Sequence, residues 1–232
     1  MLSQSLVGAL LRDPCPARQE DIESIHALPN PPLARLTAED IHVRRCRLAS
    51  DAIDSRYGRF RTEELPRLLE LVQGAPVLIG HDRRTLGVAR FFGGEVEKRG
   101  DVSWIVPRFY WPRGHSRAED LRVMIDSGVY NEASIAFLYR TPTCSVCGED
   151  LRSCAHWPGR EYENQLCFFY YDGVERVTEG SLVYRGAAQG TGIELNQQPA
   201  EGGQAADPGF SAREMRVKHR NRRYTAVLRP KS

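Results

Sequence analysis

Residues 118–137 read AEDLRVMIDSGVYNEASIAF, and this stretch decides the fold. Ser116 and Glu119, three apart and just ahead of apolar Leu121, Met124 and Ile125, form a capping-box signature that opens a helix. Gly128 closes it. Val129–Tyr139 then has the β-branched and aromatic content of a strand. On that strand Glu132, Ser134 and Ala136 share one face, and Ala133, Ile135 and Phe137 share the other. Ser134 can therefore face a cleft while Ile135 and Phe137 anchor the strand in a core.

Upstream, Ile41–Leu48 reads as a strand and Thr62–Val72 as a helix, acidic in its first turn and ended by Gly74. Ala75–His81 is a short apolar run, a buried strand that ends on an imidazole. Thr85–Phe92 and Asp101–Trp111 are β-rich, separated by turn-like Gly93-Gly94 and Gly100. Downstream, Gln165–Tyr171 and Val174–Val183 read as strands joined in a hairpin at Asp172-Gly173. These segments predict an α+β fold with more strand than helix. Residues 1–39, broken by five prolines, read as a loosely attached arm with a short amphipathic helical stretch near its start. Residues 40–190 form the compact domain, 191–210 a Gly/Gln/Ala/Pro linker, and 211–232 a basic tail.

Composition narrows the class. The chain has 232 residues, 41% hydrophobic and 27% charged, which excludes a disordered polymer. No run approaches the roughly 20 apolar residues of a membrane span. Leu6–Leu11 lacks a basic flank and a small-residue cleavage site, so a soluble intracellular protein is expected. Net charge is +2, yet residues 211–232 carry eight Lys/Arg against one Glu. The body is near neutral, which argues against a surface wholly devoted to nucleic acid. The tail alone leaves three roles open: a nucleic-acid arm, an address for an acidic scaffold partner, or a solubilising end.

Four of six cysteines fall within 144–167. Cys144-Ser145-Val146-Cys147-Gly148 has the two-residue gap that turns two thiolates toward one ion, with a glycine for the tight bend. Cys154 and His156 complete a four-ligand zinc set, with Cys167 as substitute for His156. Four protein ligands leave no open position for water. With no HExxH pattern in the chain, the expected zinc is structural and takes no part in catalysis.

A histidine closing a buried strand, a serine mid-strand and an acid on a third strand could form base, nucleophile and orienter. There is no GxSxG elbow. The order VLIGHD (77–82) and LGVARFF (86–92), then AEDLRVMIDSGVYNEASIAF (118–137), then VTEGSLV (177–183) resembles the serine proteases of tailed-phage proheads. The insert CSVCGEDLRSCAHWPGREY (144–162) resembles that of some members. The resemblance covers roughly residues 40–190 and implies a fold like the herpesvirus capsid-assembly proteases. That is a β-barrel-like core of mostly antiparallel strands with surrounding helices, here carrying a small zinc-knuckle insert at 141–167.

Carried over by position, the resemblance makes Ser134 the nucleophile, His81 the general base and Glu179 the acid. Glu132 is a rival for the acid role, Asp82 a weaker one, and Ser181 an alternative nucleophile. Ala136 stands where the family usually has glycine, and 184–188 (YRGAA) replaces its usual Pro-Ala. The implied activity is a maturation endopeptidase inside the procapsid, in the host cytoplasm. It would cut the scaffold protein or a scaffold-like segment of the major capsid protein, and itself, with self-association or a portal contact among its partners and no membrane. The alternative is an inactive, zinc-containing assembly or scaffold-binding factor.

Overall fold

The computed structural model describes residues 16–194 and the backbone of strands Glu214–His219 and Arg222–Val227. Its main unit is α+β and mostly strand, a curled half-barrel sheet with three helices. The strands are β1 (Ile41–Arg47), β2 (Ala49–Ser50), β3 (Gly58–Arg59), β4 (Pro76–Ile79), β5 (Ala89–Arg99), β6 (Val102–Pro112) and β7 (Glu132–Cys144), then β8 (Glu161–Tyr162), β9 (Gln165–Leu166), β10 (Phe169–Val183) and β11 (Gly192–Glu194). The helices are α1 (Gln19–His26), α2 (Leu65–Val72) and α3 (Ala118–Asp126).

The sheet runs β11-β1-β6-β5-β4-β10-β3, with β2 added on β6 and β7 on β10. Pairing is antiparallel except where β10 meets β4 and β3. Alternation along the strands buries both faces. Phe91, Phe109 and Trp111 enter the main core, under Leu65, Leu68 and Val72 of α2, which recur at helical spacing. Each such Leu or Phe contributes roughly 1.5–3 kcal/mol of burial. Phe92 and Tyr110 point the other way, onto Ile22 and Ile25 of α1. Buried Arg44 of β1 grips Asp126 of α3 through Nε and Nη2 at 2.8 and 2.7 Å, tying α3 to the sheet.

Several expectations are corrected. Residues 19–28 are not a loose arm. α1 seals the second core, and its buried Asp21 is ion-paired to Arg108. The helical stretch expected nearer the start lies outside the described residues. The capping box does not form. The helix begins at Ala118 with Arg117 at the cap and no side-chain bond, so Ser116 lies one residue outside the cap, and Glu119 binds Arg122, whose Nε lies 3.0 Å from both carboxylate oxygens. Gly93-Gly94 (φ +50° and +107°) make a bulge inside one long β5, since β6 continues opposite, and the turn falls at Gly100.

Asp172-Gly173 is no hairpin either. β10 runs unbroken through it because β7 pairs along the whole length, from Phe169↔Cys144 to Val183↔Glu132. Gly173 (φ +69°) sits within the strand, and the register shifts fall beyond it, between Val174 and Arg176 and between Val177 and Glu179. The expected linker begins later than 191: Gly192–Glu194 pairs with Arg45–Arg47, and the Glu194 carboxylate is held by Arg45 and Arg99. The rest of the linker lies outside the described residues. In the basic tail, the described backbone is an antiparallel hairpin, from Glu214↔Val227 to His219↔Arg222, and its side chains lie outside the description. Among the described residues no helix is long and apolar enough to cross a membrane.

Candidate active site and candidate metal centre

The candidate active site is built where β4, β10 and β7 lie side by side. β4 pairs in parallel with β10 (Ser181↔Leu78), and β7 pairs on the other edge (Ser181↔Ser134, Glu179↔Ala136). Directly opposite residues project to the same face, with Cβ atoms about 4.5–5.5 Å apart. Glu179 and Ser181 of β10 thus share a face with Ser134 of β7. β4 ends at Ile79. Gly80 (φ +63°) and His81 (φ +59°) then form a tight turn in which Asp82 N–H donates to the Ile79 carbonyl at 3.2 Å. Left-handed backbone at both central positions is the pattern of a type I′ turn.

That turn folds the imidazole back over β10. His81 Nδ1 meets Glu179 Oε1 at 2.7 Å. Glu179 is 3% exposed at its side chain and His81 38%. An ionised carboxylate only accepts, so with Glu179 ionised Nδ1–H is the donor and Nε2 keeps its lone pair. Ser181, which is 1% exposed, donates from Oγ to the other oxygen, Glu179 Oε2, at 2.8 Å. The same Oγ accepts the backbone N–H of His81 at 3.1 Å.

Ser134 and His81 line one cleft of about 540 Å³, together with Ser50, Arg83, Phe137 and Tyr171. No hydrogen bond joins the two side chains among the described residues. Unliganded active sites often hold such pairs loosely. The rival acid Glu132 is elsewhere: its Oε2 accepts the Gly186 N–H at 2.6 Å. Asp82 is spent on Arg84, whose guanidinium holds its carboxyl below the usual aspartate range. Ser181 is too buried and too engaged to be a nucleophile. Its supporting place was not foreseen, although its spacing two residues from Glu179 on one strand face was the available signal.

The second cluster sits at the far end of the same two strands. β7 ends at Cys144, opposite Phe169 of β10. Cys144 O accepts from Gly148 N–H (3.0 Å) and Cys144 Sγ from Val146 N–H (3.4 Å), the turn that the Cys-x-x-Cys-Gly spacing predicts. Ligand atoms of Cys144, Cys147, Cys154 and His156 all lie within 4.8 Å of one another. A tetrahedral zinc separates its sulfur and nitrogen ligands by roughly 3.5–3.8 Å, so the group needs only slight contraction. The donor set fits. His156 Nδ1 is buried with no hydrogen-bond partner, and the ring packs edge-on against Tyr162 at 4.6 Å.

Burial opposes ionisation of Cys144, but the backbone N–H groups of Cys147 and Val146 outweigh it and hold the thiol below its ordinary value. Cys167 lies outside the group, 4.0 Å from Cys144 Sγ, and burial, with the charge of Cys144, pushes it up to about 11. Cys144, Cys147, Cys154 and His156 could hold a metal ion.

Compared with protein-family models, with curated proteins and with solved structures, the chain matches none.

Proposed function

We propose that this chain is a serine endopeptidase in which Ser134 is the nucleophile, His81 the general base and Glu179 the acid that orients it. One observation carries the reading: a buried carboxylate bonded to His81 Nδ1, in a cleft shared with a serine from the next strand. Ser134 Oγ attacks the carbonyl carbon of a peptide bond as its proton passes to His81 Nε2. Glu179 stabilises the resulting imidazolium. Nε2 then gives the proton to the departing amine, leaving an acyl-serine. A water, deprotonated by the same nitrogen, hydrolyses that ester and restores the hydroxyl.

The substrate class follows from the resemblance of residues 77–92, 118–137 and 177–183 to prohead maturation proteases. The substrates are the scaffold protein or a scaffold-like segment of the major capsid protein, and the chain itself, cut within the procapsid. In this reading Cys144, Cys147, Cys154 and His156 hold one structural zinc that fixes the loop beyond β7 and supplies no chemistry. The test is co-expression with the neighbouring capsid and scaffold genes, with products read by intact mass. Wild type is expected to process them and Ser134→Ala to leave them whole while keeping its thermal midpoint. Processing by Ser134→Ala would end the assignment.

A second reading, a non-catalytic assembly factor on the same fold, is favoured by one observation: the Ser134 hydroxyl has no bond to His81 among the described residues. It predicts that neither variant cleaves and that both enter procapsids equally.

A further inference from the structure

We infer that Ser181 is a positioning residue of this active site, acting through Glu179 and His81 at once. The inference rests on the proposed function for its kinetic readout, but the geometry behind it does not. Glu179 has two oxygens and is almost wholly buried. Oε1 serves the imidazole, and Oε2 is covered by the Ser181 hydroxyl at 2.8 Å. Without that donor, Oε2 is a buried acceptor on an ionised group with no other described partner, and the carboxylate is free to turn about its last torsion. Hydrogen bonds to charged groups are the strong ones, and they fix direction as well as energy.

The second contact is as specific. Ser181 Oγ has one hydrogen to donate and lone pairs to accept with, and it uses both kinds of capacity. It gives its proton to Glu179 and receives the His81 backbone N–H at 3.1 Å. His81 is in left-handed backbone, an uncommon state for a residue bearing a Cβ even though histidine is among those enriched there. Gly80 N–H to Leu182 O at 2.8 Å fastens one side of that turn, and Ser181 Oγ fastens the other. One hydroxyl thereby sets the carboxylate and the backbone of the base it serves. Alanine would break both links; threonine keeps the oxygen.

The remaining charged groups near the imidazole do not substitute for it. Asp82 is paired with Arg84, Arg83 reaches Thr178 Oγ1 at 3.4 Å, and Asp54 accepts the Tyr171 hydroxyl at 2.6 Å. Arg56, also on the cleft, is a donor and cannot orient Nδ1–H.

The experiment compares wild type, Ser181→Ala and Ser181→Thr in the full chain by three measurements. The first is covalent labelling of Ser134 by a fluorophosphonate. The second is kcat and KM on a peptide cut by wild type. The third is the downfield Nδ1–H proton resonance of His81. Ser181→Ala is expected to lower kcat and the labelling rate by roughly ten- to a hundredfold, the scale of one lost bond to a charged group. KM should stay within about twofold. The Nδ1–H resonance should move upfield or broaden, and Ser181→Thr should restore most of both. An unchanged resonance and labelling rate in folded Ser181→Ala would overturn the inference. So would a loss in both variants that tracks only their thermal midpoints. Failure of wild-type Ser134 to label at all would instead sink the proposed function. The resonance would then still report whether Ser181 orders the His81–Glu179 pair.

Discussion

β7 and β10 lie against each other from end to end, yet their two ends hold sites of opposite character. At the Ser134 end the polar groups satisfy one another: imidazole to carboxylate, carboxylate to hydroxyl, hydroxyl to backbone. At the Cys144 end, three sulfurs and an imidazole converge, and a buried ring nitrogen is left with no partner. The first arrangement is complete in protein atoms. The second has the donor set of a metal site. One pair of strands thus carries a hydrogen-bonded polar set at one end and, at the other, a Cys/His cluster that could hold a metal ion.

The most drastic way to break this comparison is at the first end. Glu179→Gln keeps the shape of the acid but presents an amide, which can no longer favour the Nδ1–H tautomer or stabilise an imidazolium. A fall in kcat of about 10³–10⁴ is expected, the scale seen when an orienting acid is neutralised. Steady-state assays on the cleaved peptide check it. Zinc content should not change, and a joint loss of zinc and activity would contradict the independence of the two ends.

Next in size is the metal end. Purified chain is expected to contain about one zinc, four protein ligands closing one tetrahedral site. Cys144→Ser should lose most of it and lower the thermal midpoint, whereas Cys167→Ser should keep it. Elemental analysis with thermal melts reads both. Retained zinc in Cys144→Ser together with loss in Cys167→Ser would exchange the roles of the two thiols.

The smallest effect lies between the ends, at Asp172 of β10. Arg61 grips Asp172 there with two bonds of 2.7 and 2.9 Å, and this guanidinium holds the carboxyl below its ordinary 3.8. A folded-state value below the unfolded one means the pair contributes stability above the unfolded value and loses it as pH falls through the folded one. Both side chains are partly exposed, so the contribution is up to about 1 kcal/mol. Denaturant melts of wild type and Asp172→Asn should therefore differ at neutral pH and converge as pH falls through the folded-state value, which lies below 3.8. A difference that persists in acid would mean the strand depends on Asp172 for something other than charge.

The first site was legible through the resemblance carried by residues 77–92, 118–137 and 177–183, which singled out His81, Ser134 and Glu179; strand periodicity added only which residues share a face. A histidine ending an apolar run, a serine on the opposite face from Ile135 and Phe137, and an acid on a third strand need only alternation to share a face. The Cys/His set was legible from spacing, since Cys144-x-x-Cys147-Gly148 is a local turn. What stayed hidden depended on partners distant in sequence. Gly173 reads as a hairpin until β7 is seen to continue opposite it. Ser116 and Glu119 read as a capping box until Ser116 falls one residue outside the cap and Glu119 binds Arg122. Residues 19–28 read as an arm until Phe92 and Tyr110 offer Ile22 and Ile25 a surface. Ser181 belongs to the same group, because its meaning comes from a backbone amide 100 residues away.

The dihedral at His81 makes position 81 answer to two alphabets. Chemistry asks for a titratable ring; the bend asks for a side chain that tolerates positive φ, a short set in which histidine, asparagine and aspartate are the well-represented members besides glycine. Under the proposed function, asparagine is thus the cleanest substitution there, removing the base while leaving the bend. Valine or threonine would rewrite the bend itself, and their losses would report on the hinge of the sentence and not on its verb.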